Sequence, residues 1–494
     1  MSQAESLNKM DFIKTIDDNR DLQIKTLQEL VAIKSVAGDP VTTADGEVLP
    51  FGRGVQDAFA YTMKKAEEFG FITKNVNNYG GHADFGDGDE IVGIMGHLDV
   101  VPEGDGWSFD PYGGEADEEY VYGRGTTDDK GPTLAVLFAM KALKDAGYVP
   151  AKKIRLILGL DEEVNSAGMK YYLEHETPPT FGFTPDADFP VLNGEKGIMS
   201  FTLAKKLSRS PSQGLLLSSF SSGTAINVVP NKARAVVRSE DPEVYDSIKD
   251  RAAGFRAETG HKLYVKGVGK SLELLAEGIS AHGSTPEKGL NAISIMMEFL
   301  GRLSFANEDV NDFIDFYNKY IGFCLDGSAI GCDFEDSQSG KLTWNTGLAA
   351  YDKQAISVTI NVRYPVTDCA ENVYESIAGT AAKYDVGIIK QGDSRPIYMD
   401  PDSPMIKTFL DVYRDNTGDM ESQPKVIGGG TYARCAKNIF AFGPEFPGDP
   451  DLMHQADERW TIERYMTATK IYADALYRMT QENFNIIGEN ENNE

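Results

Sequence analysis

The chain has 494 residues, 41% of them hydrophobic and 25% charged, and a net charge of −28. Ordinary globular composition at this length predicts two or three domains with cores large enough to do without disulfides. The acidic balance excludes nucleic acid and anionic membranes as partners. No run of about 18 apolar residues occurs, which excludes a membrane-spanning helix.

The first eleven residues are polar and acidic, with neither the basic nor the apolar region of a secretory signal. Ile13, Ile16, Ile24, Leu27, Leu30 and Val31 fall near helical spacing and predict one amphipathic helix over 11–36. A second helix is expected over 54–69, ended by Gly70. Strands and helices then alternate: strand 91–95, helix 131–146, strand 154–160, and a helix starting at Met169. Apolar strands alternating with helices predict an α/β fold with a mostly parallel sheet flanked by helices, whose ligand sites lie at the carboxyl ends of the strands. After Lys196 the pattern changes to an α+β insert, with strands at 233–238, 272–276 and 356–362 and a helix over 291–303. From about Arg395 the helix–strand alternation resumes, with a helix over 405–414 and a strand at 439–442. The division expected is 1–196 and 396–494 for one domain in two parts, and 197–395 for the insert. The tail 488–494 reads as disordered. Cys324, Cys332, Cys369 and Cys435 are scattered without a CxxC pair, as for reduced, mostly buried thiols of a cytoplasmic protein.

Several polar residues follow apolar segments closely. His97 and Asp99 end the strand over 91–95 and share a face, so the carboxylate can orient the imidazole. Alone, such a pair is more often an ordinary satisfied contact than a ligand. The stretch 123–131, GRGTTDDKG, opens a helix as a phosphate loop would. It lacks the third glycine of GxGxxG and any GK[ST], and Asp128 and Asp129 would repel a phosphate. A carboxylate bridging two cations suits it better. Asp161, Glu162 and Glu163 end the strand over 154–160, where three acids are costly to hold unless a cation compensates them. One glutamate can then ligate while its neighbour serves as a general base. A solvated turn is the plain alternative. Asp186 and Asp188 follow the apolar FGF, and His454 lies in a loop after PGDPD. Taken singly these are surface residues. Together, His, Asp, Glu, Asp and His after successive segments form the nitrogen and oxygen donor set of a two-metal hydrolase.

GHLDVVPEGDGW, YGRGTTDDKGP, GLDEEVNS, TPDADFPV and MHQADE occur in that order, and with them the chain resembles the metallopeptidase family of aminoacylase, carboxypeptidase G and succinyl-diaminopimelate desuccinylase. The resemblance runs from about residue 11 to about 479 and is strongest to the carnosinase-like dipeptidases. It implies a zinc-peptidase-like catalytic domain with an inserted lid. It also implies two divalent metal ions, zinc first and manganese or cobalt as alternatives. His97 and Asp186 would hold one ion, Glu163 and His454 the other, and Asp128 both, with a cis peptide following Asp128. Asp99 would orient His97, and Glu162 would be the general base. In the lid, the resemblance makes His282 the group that stabilises the oxyanion. Asn227, Arg363 and the glycine loop ending at Gly430 would hold the substrate carboxylate. A lid of roughly 200 residues resembles those that replace a second subunit, which implies a monomer. The substrate implied is a short peptide with a free amine, most simply a dipeptide. An N-acyl amino acid deacylase, a tripeptidase or an inactive binding protein on the same fold are the rival readings, and the intact set with Glu162 opposes the last. His82, His175 and His261 match no ligand and are expected to be surface or structural.

Overall fold

The structure, a computed structural model, describes residues 9–208 and 213–486. The expectations placed on residues 1–8 and on the tail 488–494 lie outside it. The chain divides into two compact units, one of Met1–Asn193, Met399–Lys425 and Thr431–Glu494, the other of Gly194–Tyr398 and Val426–Gly430.

The first unit opens with two helices, Lys9–Asp18 and Arg20–Val31, where one was expected over 11–36. Asn19 separates them, and its Nδ2 donates back to the Thr15 carbonyl at 2.8 Å, a local bond that competes with helix propagation. Beyond Val31 the chain is drawn into tertiary contacts instead. Ser35 Oγ donates to the Leu98 carbonyl at 2.6 Å, and Lys130 Nζ donates to the carbonyls of Leu30 and Ile33 at 3.1 and 2.6 Å.

Four parallel strands form the centre of this unit, in the order Ile439–Ala441, Phe181–Thr184, Ile91–His97, Lys153–Gly159. The antiparallel strands Gly81–Phe85 and Ile72–Asn75 extend one edge. Every residue of Ile91–His97 is buried. That requires cover on both faces, which explains an unbroken apolar run in place of alternation. Burying a side chain such as Ile94 or Met95 contributes roughly 1.5–3 kcal/mol. The helix Lys130–Asp145 packs against Ile91–His97, Lys153–Gly159 and the helix Ile462–Met479. Thus the α/β fold with a parallel core is present. Its connections deliver the carboxyl ends of four neighbouring strands to one edge of the sheet.

The second unit is α+β. Its eight-stranded antiparallel sheet runs Lys262–Val268, Ser271–Glu277, Lys232–Arg238, Leu216–Ser222, Thr343–Tyr351, Ala355–Tyr364, Gly197–Lys206, Gly387–Ser394. Ser271–Glu277 alternates strictly between buried and half-buried residues, as one covered face requires. The buried side packs with Ala292–Leu300 and Glu308–Tyr320 in a core that includes Phe201, Ile295, Phe313 and Trp344. Asn291 caps the first of these helices by accepting the Ile293 N–H at 2.9 Å.

All four cysteines are free thiols, but of these Cys332 alone is buried, which corrects the expectation of mostly buried thiols. Among the described residues no helix is long and apolar enough to cross a membrane.

Candidate metal centre

His97 ends the strand Ile91–His97, and Glu162 and Glu163 lie three and four positions beyond the end of Lys153–Gly159. Asp186 follows Phe181–Thr184, and Asp128 precedes the helix Lys130–Asp145. His454 lies in the loop after Ile439–Ala441, with its backbone left-handed at φ 60°. A non-glycine residue in that conformation is uncommon and persists where its surroundings enforce it. All six lie in the first unit, and the fold brings them together.

Asp128 is the centre of the cluster. Its Oδ1 lies 3.1 Å from His97 Nε2, and its Oδ2 lies 2.9 Å from His454 Nε2. Asp186 Oδ2 lies 3.8 Å from the same His97 Nε2. Glu163 Oε2 stands beside His454, 3.1 Å from Nε2. The donors thus fall into two groups joined by one carboxylate. Donor atoms of His97, Asp128 and Glu163 lie within 4.8 Å of one another, as do those of His97, Glu162 and Asp186. Geometry alone therefore admits Glu162 either as a ligand or as a base beside the ligands. The Asp128–Asp129 peptide is cis.

Charge balance tests whether these residues fit cations. Burial, reinforced by Asp186, holds the Glu162 carboxyl well above the usual carboxylate range. Burial and Asp128 push Glu163 up to about 7. Burial also raises Asp186 and Asp129. The imidazoles go the other way. Burial opposes the charged form of His97, but Asp128, Asp186 and Asp99 outweigh it and raise its pKa. For His454, Asp128 and Glu163 outweigh burial and push it up to about 11. Acids driven toward neutral and imidazoles driven toward charged describe a ligand set balanced by protons alone. Divalent cations would reverse both tendencies. His97 Nε2 and Glu163 Oε1 are also buried without a hydrogen bond of ordinary geometry. The donor set fits two divalent cations.

The residues around these donors are fixed by their own partners. His97 Nδ1 lies 2.9 Å from the Asp99 carbonyl and 3.4 Å from the Asp99 carboxylate. Asp129 Oδ2 accepts from the His97 N–H at 3.0 Å and from Thr133 Oγ1 at 2.9 Å. A Cβ at Gly96 would fall 2.0 Å from Thr133 Oγ1. Glycine there lets the helix start approach the strand this closely. Asp161, the first of the three consecutive acids, needs no cation. It accepts the N–H groups of Ala167 and Gly168 at 2.7 and 2.8 Å, at the start of the helix Ala167–His175.

The remaining singled-out residues, Asn227, His282, Arg363 and Gly430, belong to the second unit. His282 is exposed, and its Nδ1 lies 2.6 Å from Ser284 Oγ. The N–H of Gly283 donates to the Asn227 carbonyl at 2.6 Å, which places exposed Asn227 beside His282. A Cβ at Gly283 would collide with that carbonyl at 2.8 Å. Arg363 is buried, donating through Nε to Asn361 Oδ1 at 3.1 Å and through Nη1 to the Gly428 carbonyl at 2.8 Å. That bond holds the glycine segment ending at Gly430. Sequence reasoning missed Asn345, whose Nδ2 donates to the carbonyls of Ile226 and Val228 and so holds the Asn227 loop. It also missed Glu458, although Glu458 lies within the motif that carries His454. Of the unassigned histidines, His82 is buried beside Tyr172, His175 stacks on Tyr171, and His261 stacks on Phe323.

The sequence profile of Peptidase family M20/M25/M40 matches residues 93–478. YtjP of Bacillus subtilis (strain 168) is 37% identical over 474 residues, 95% of this chain and 99% of that protein. The Beta-Ala-Xaa dipeptidase of Lactobacillus delbrueckii subsp. lactis is 35% identical over 476 residues, 96% of this chain and 99% of that protein. Among solved structures, human carnosine dipeptidase 1 superposes with a TM-score of 0.57 at 16% identity, covering 96% of this chain and 99% of that one. The aminoacylhistidine dipeptidase of Vibrio alginolyticus has a TM-score of 0.54 at 15% identity, covering 92% and 96%. At these identities the two structures speak for the fold alone.

Proposed function

The chain belongs to Peptidase family M20/M25/M40, and from that footing we propose that it is a dipeptidase, hydrolysing the peptide bond of unblocked dipeptides, β-alanyl dipeptides included, at a pair of divalent cations. The observation that carries this reading is the position of Asp128, with one carboxylate oxygen toward His97 and the other toward His454. In this reading His97 and Asp186 would hold one cation, Glu163 and His454 the other, and Asp128 both. Nitrogen and oxygen donors suit zinc, and the surplus of carboxylates also accepts manganese or cobalt. Bound there, such cations supply Lewis-acid polarisation of the scissile carbonyl and acidify water.

The chain's own groups do the rest. Glu162, beside the ligands, takes a proton from water as it attacks the carbonyl and returns it to the leaving amine. Asp99 and Asp129 hold His97 in place. We assign the second unit, close to 197–395, as the lid. His282 stabilises the oxyanion, and Asn227, Arg363 and the glycine segment ending at Gly430 bind the substrate carboxylate. The large size of the lid supports one chain supplying both sets of groups, and we assign the active species as a monomer working in the cytoplasm.

The test is a panel of α- and β-alanyl dipeptides, their N-acetylated forms and tripeptides, assayed on chelator-treated protein reloaded with Zn²⁺, Mn²⁺ or Co²⁺. Free dipeptides should be cleaved only after reloading, and N-acetylated ones not at all. Activity in metal-free protein, or preference for the acylated substrates, would overturn the reading.

A further inference from the structure

We propose that Glu458 is a positioning residue that clamps the turn 123–127 to the loop carrying His454, and so sets Asp128 against His454 for cation binding. The inference rests on the two-cation reading and concerns a residue outside the ligand set.

Glu458 is 0% exposed. Its Oε2 accepts from Arg124 Nη1 at 2.6 Å. Its Oε1 accepts from the N–H of Gly125 at 3.0 Å, the N–H of Thr127 at 2.9 Å and Thr127 Oγ1 at 3.0 Å, with Thr126 Oγ1 at 3.5 Å. Its own carbonyl accepts the Gly123 N–H at 3.0 Å. One residue thus gathers donors from each member of the turn that ends one residue before Asp128. Two backbone N–H groups converging on one oxygen make an anion-binding concavity, which a carboxylate fills better than a neutral group.

The other end of the clamp is the His454 loop. Glu458 lies four positions after His454, and the backbone is left-handed at His454 and at Asp457, with φ 60° and 62°. Asp457 Oδ1 accepts the Ser108 N–H at 2.7 Å, a second anchor for the same loop. The Asp128 and His454 side chains that meet at 2.9 Å come from segments more than 300 residues apart in sequence. Glu458 is bonded to the turn on one side and covalently continuous with the loop on the other. Arg124, the charged partner of Glu458, is 1% exposed, with its guanidinium 5.1 Å from the centre of the Trp107 ring. A carboxylate so deeply buried persists where every lone pair is used, and here the donors it uses are those of the ligand turn.

The test measures Zn²⁺ affinity of the full-length protein by chelator competition, alongside melting temperature in EDTA. Glu458→Gln keeps the shape, removes the charge and turns an amide N–H₂ toward either Arg124 or the turn. Wild type should bind two Zn²⁺ per chain. Glu458→Gln should bind them about 10–100-fold more weakly, the range expected when a group orienting metal ligands is lost, and should retain a cooperative melt. A merely structural role would lower the melting temperature and leave Zn²⁺ affinity unchanged, which would overturn the proposal. Wild type that binds no Zn²⁺ would sink the two-cation reading and this inference together, whereas two tightly bound ions in both proteins would sink this inference alone. If Glu458→Gln does not fold, Thr127→Val deletes one donor and keeps the backbone. Its Zn²⁺ affinity should fall severalfold, and an unchanged value would again overturn the proposal.

Discussion

Asp99 accepts the backbone N–H of Glu162 on Oδ1 at 3.1 Å, while Oδ2 accepts that of Glu163 at the same distance. One fully buried carboxylate therefore sets the backbone of the proposed base and of the proposed ligand beside it, as well as flanking the His97 ring. Asp99→Asn leaves one oxygen for two N–H donors and turns an N–H₂ toward the other. Zn²⁺ affinity and kcat/KM on a dipeptide should each fall about 10–100-fold, the cost typical of losing a group that orients ligands. Wild-type values for both would reduce Asp99 to packing.

Glu162 and Glu163 are adjacent, and donor atoms of either can reach His97. They separate by what their loss removes. Glu162→Gln should keep two metal ions per chain and lose about 10²–10⁴-fold in kcat, as expected when a general base is removed. Elemental analysis of the purified variant decides the point. Loss of one ion would make Glu162 a ligand and leave the base to be found elsewhere.

The strand pattern and the chain order of the site were open to reading because buried parallel strands write themselves as apolar runs. The residues at their carboxyl ends then stand out as polar exceptions, His97 after 91–95 and Glu162–Glu163 after 154–160. What could not be read depends on tertiary partners. The break at Asn19 and the end of the helix at Val31 follow from bonds to Thr15, Leu98 and Lys130, none of which helical periodicity registers. Asp161 looks like its two neighbours in sequence, and only the helix that starts at Ala167 shows that its charge serves backbone N–H groups. Glu458 is one acid in an acidic chain until the turn folds around it.

His82 offers a stability test away from the metal centre. It is buried, its Nδ1 lies 2.7 Å from the Tyr172 hydroxyl, and its Nε2 lies 3.8 Å from Asp84. Burial, with Arg155 adding to it, lowers its pKa to about 4 against the pull of Asp84 and Glu176, while Lys74 assists the lowering. A histidine kept neutral when folded but protonated near pH 6.5 when unfolded makes the unfolded state bind the extra proton between those limits. Its contribution is therefore intact above about 6.5 and is lost as the pH falls toward 4, by at most about 1.4 kcal/mol per pH unit. In EDTA, His82→Gln should show a flatter stability profile than wild type across that window. Parallel profiles would mean that His82 is protonated in the folded protein.

Arg363 distinguishes a carboxylate-binding role from a structural one. Its guanidinium donates to Asn361 and to the Gly428 carbonyl within its own unit, so replacing it disturbs the glycine segment whatever the substrate. Lysine keeps the charge but cannot make two parallel bonds to a carboxylate. If Arg363 grips the C-terminal carboxylate, Arg363→Lys should lower kcat/KM on a free dipeptide about tenfold or more beyond its effect on the corresponding dipeptide amide, which lacks the charged partner. Comparing both enzymes on both substrates cancels the general disturbance and leaves the coupling between the guanidinium and the carboxylate, about 1.4 kcal/mol for each factor of ten. Equal losses on both substrates would leave Arg363 a support for Gly428.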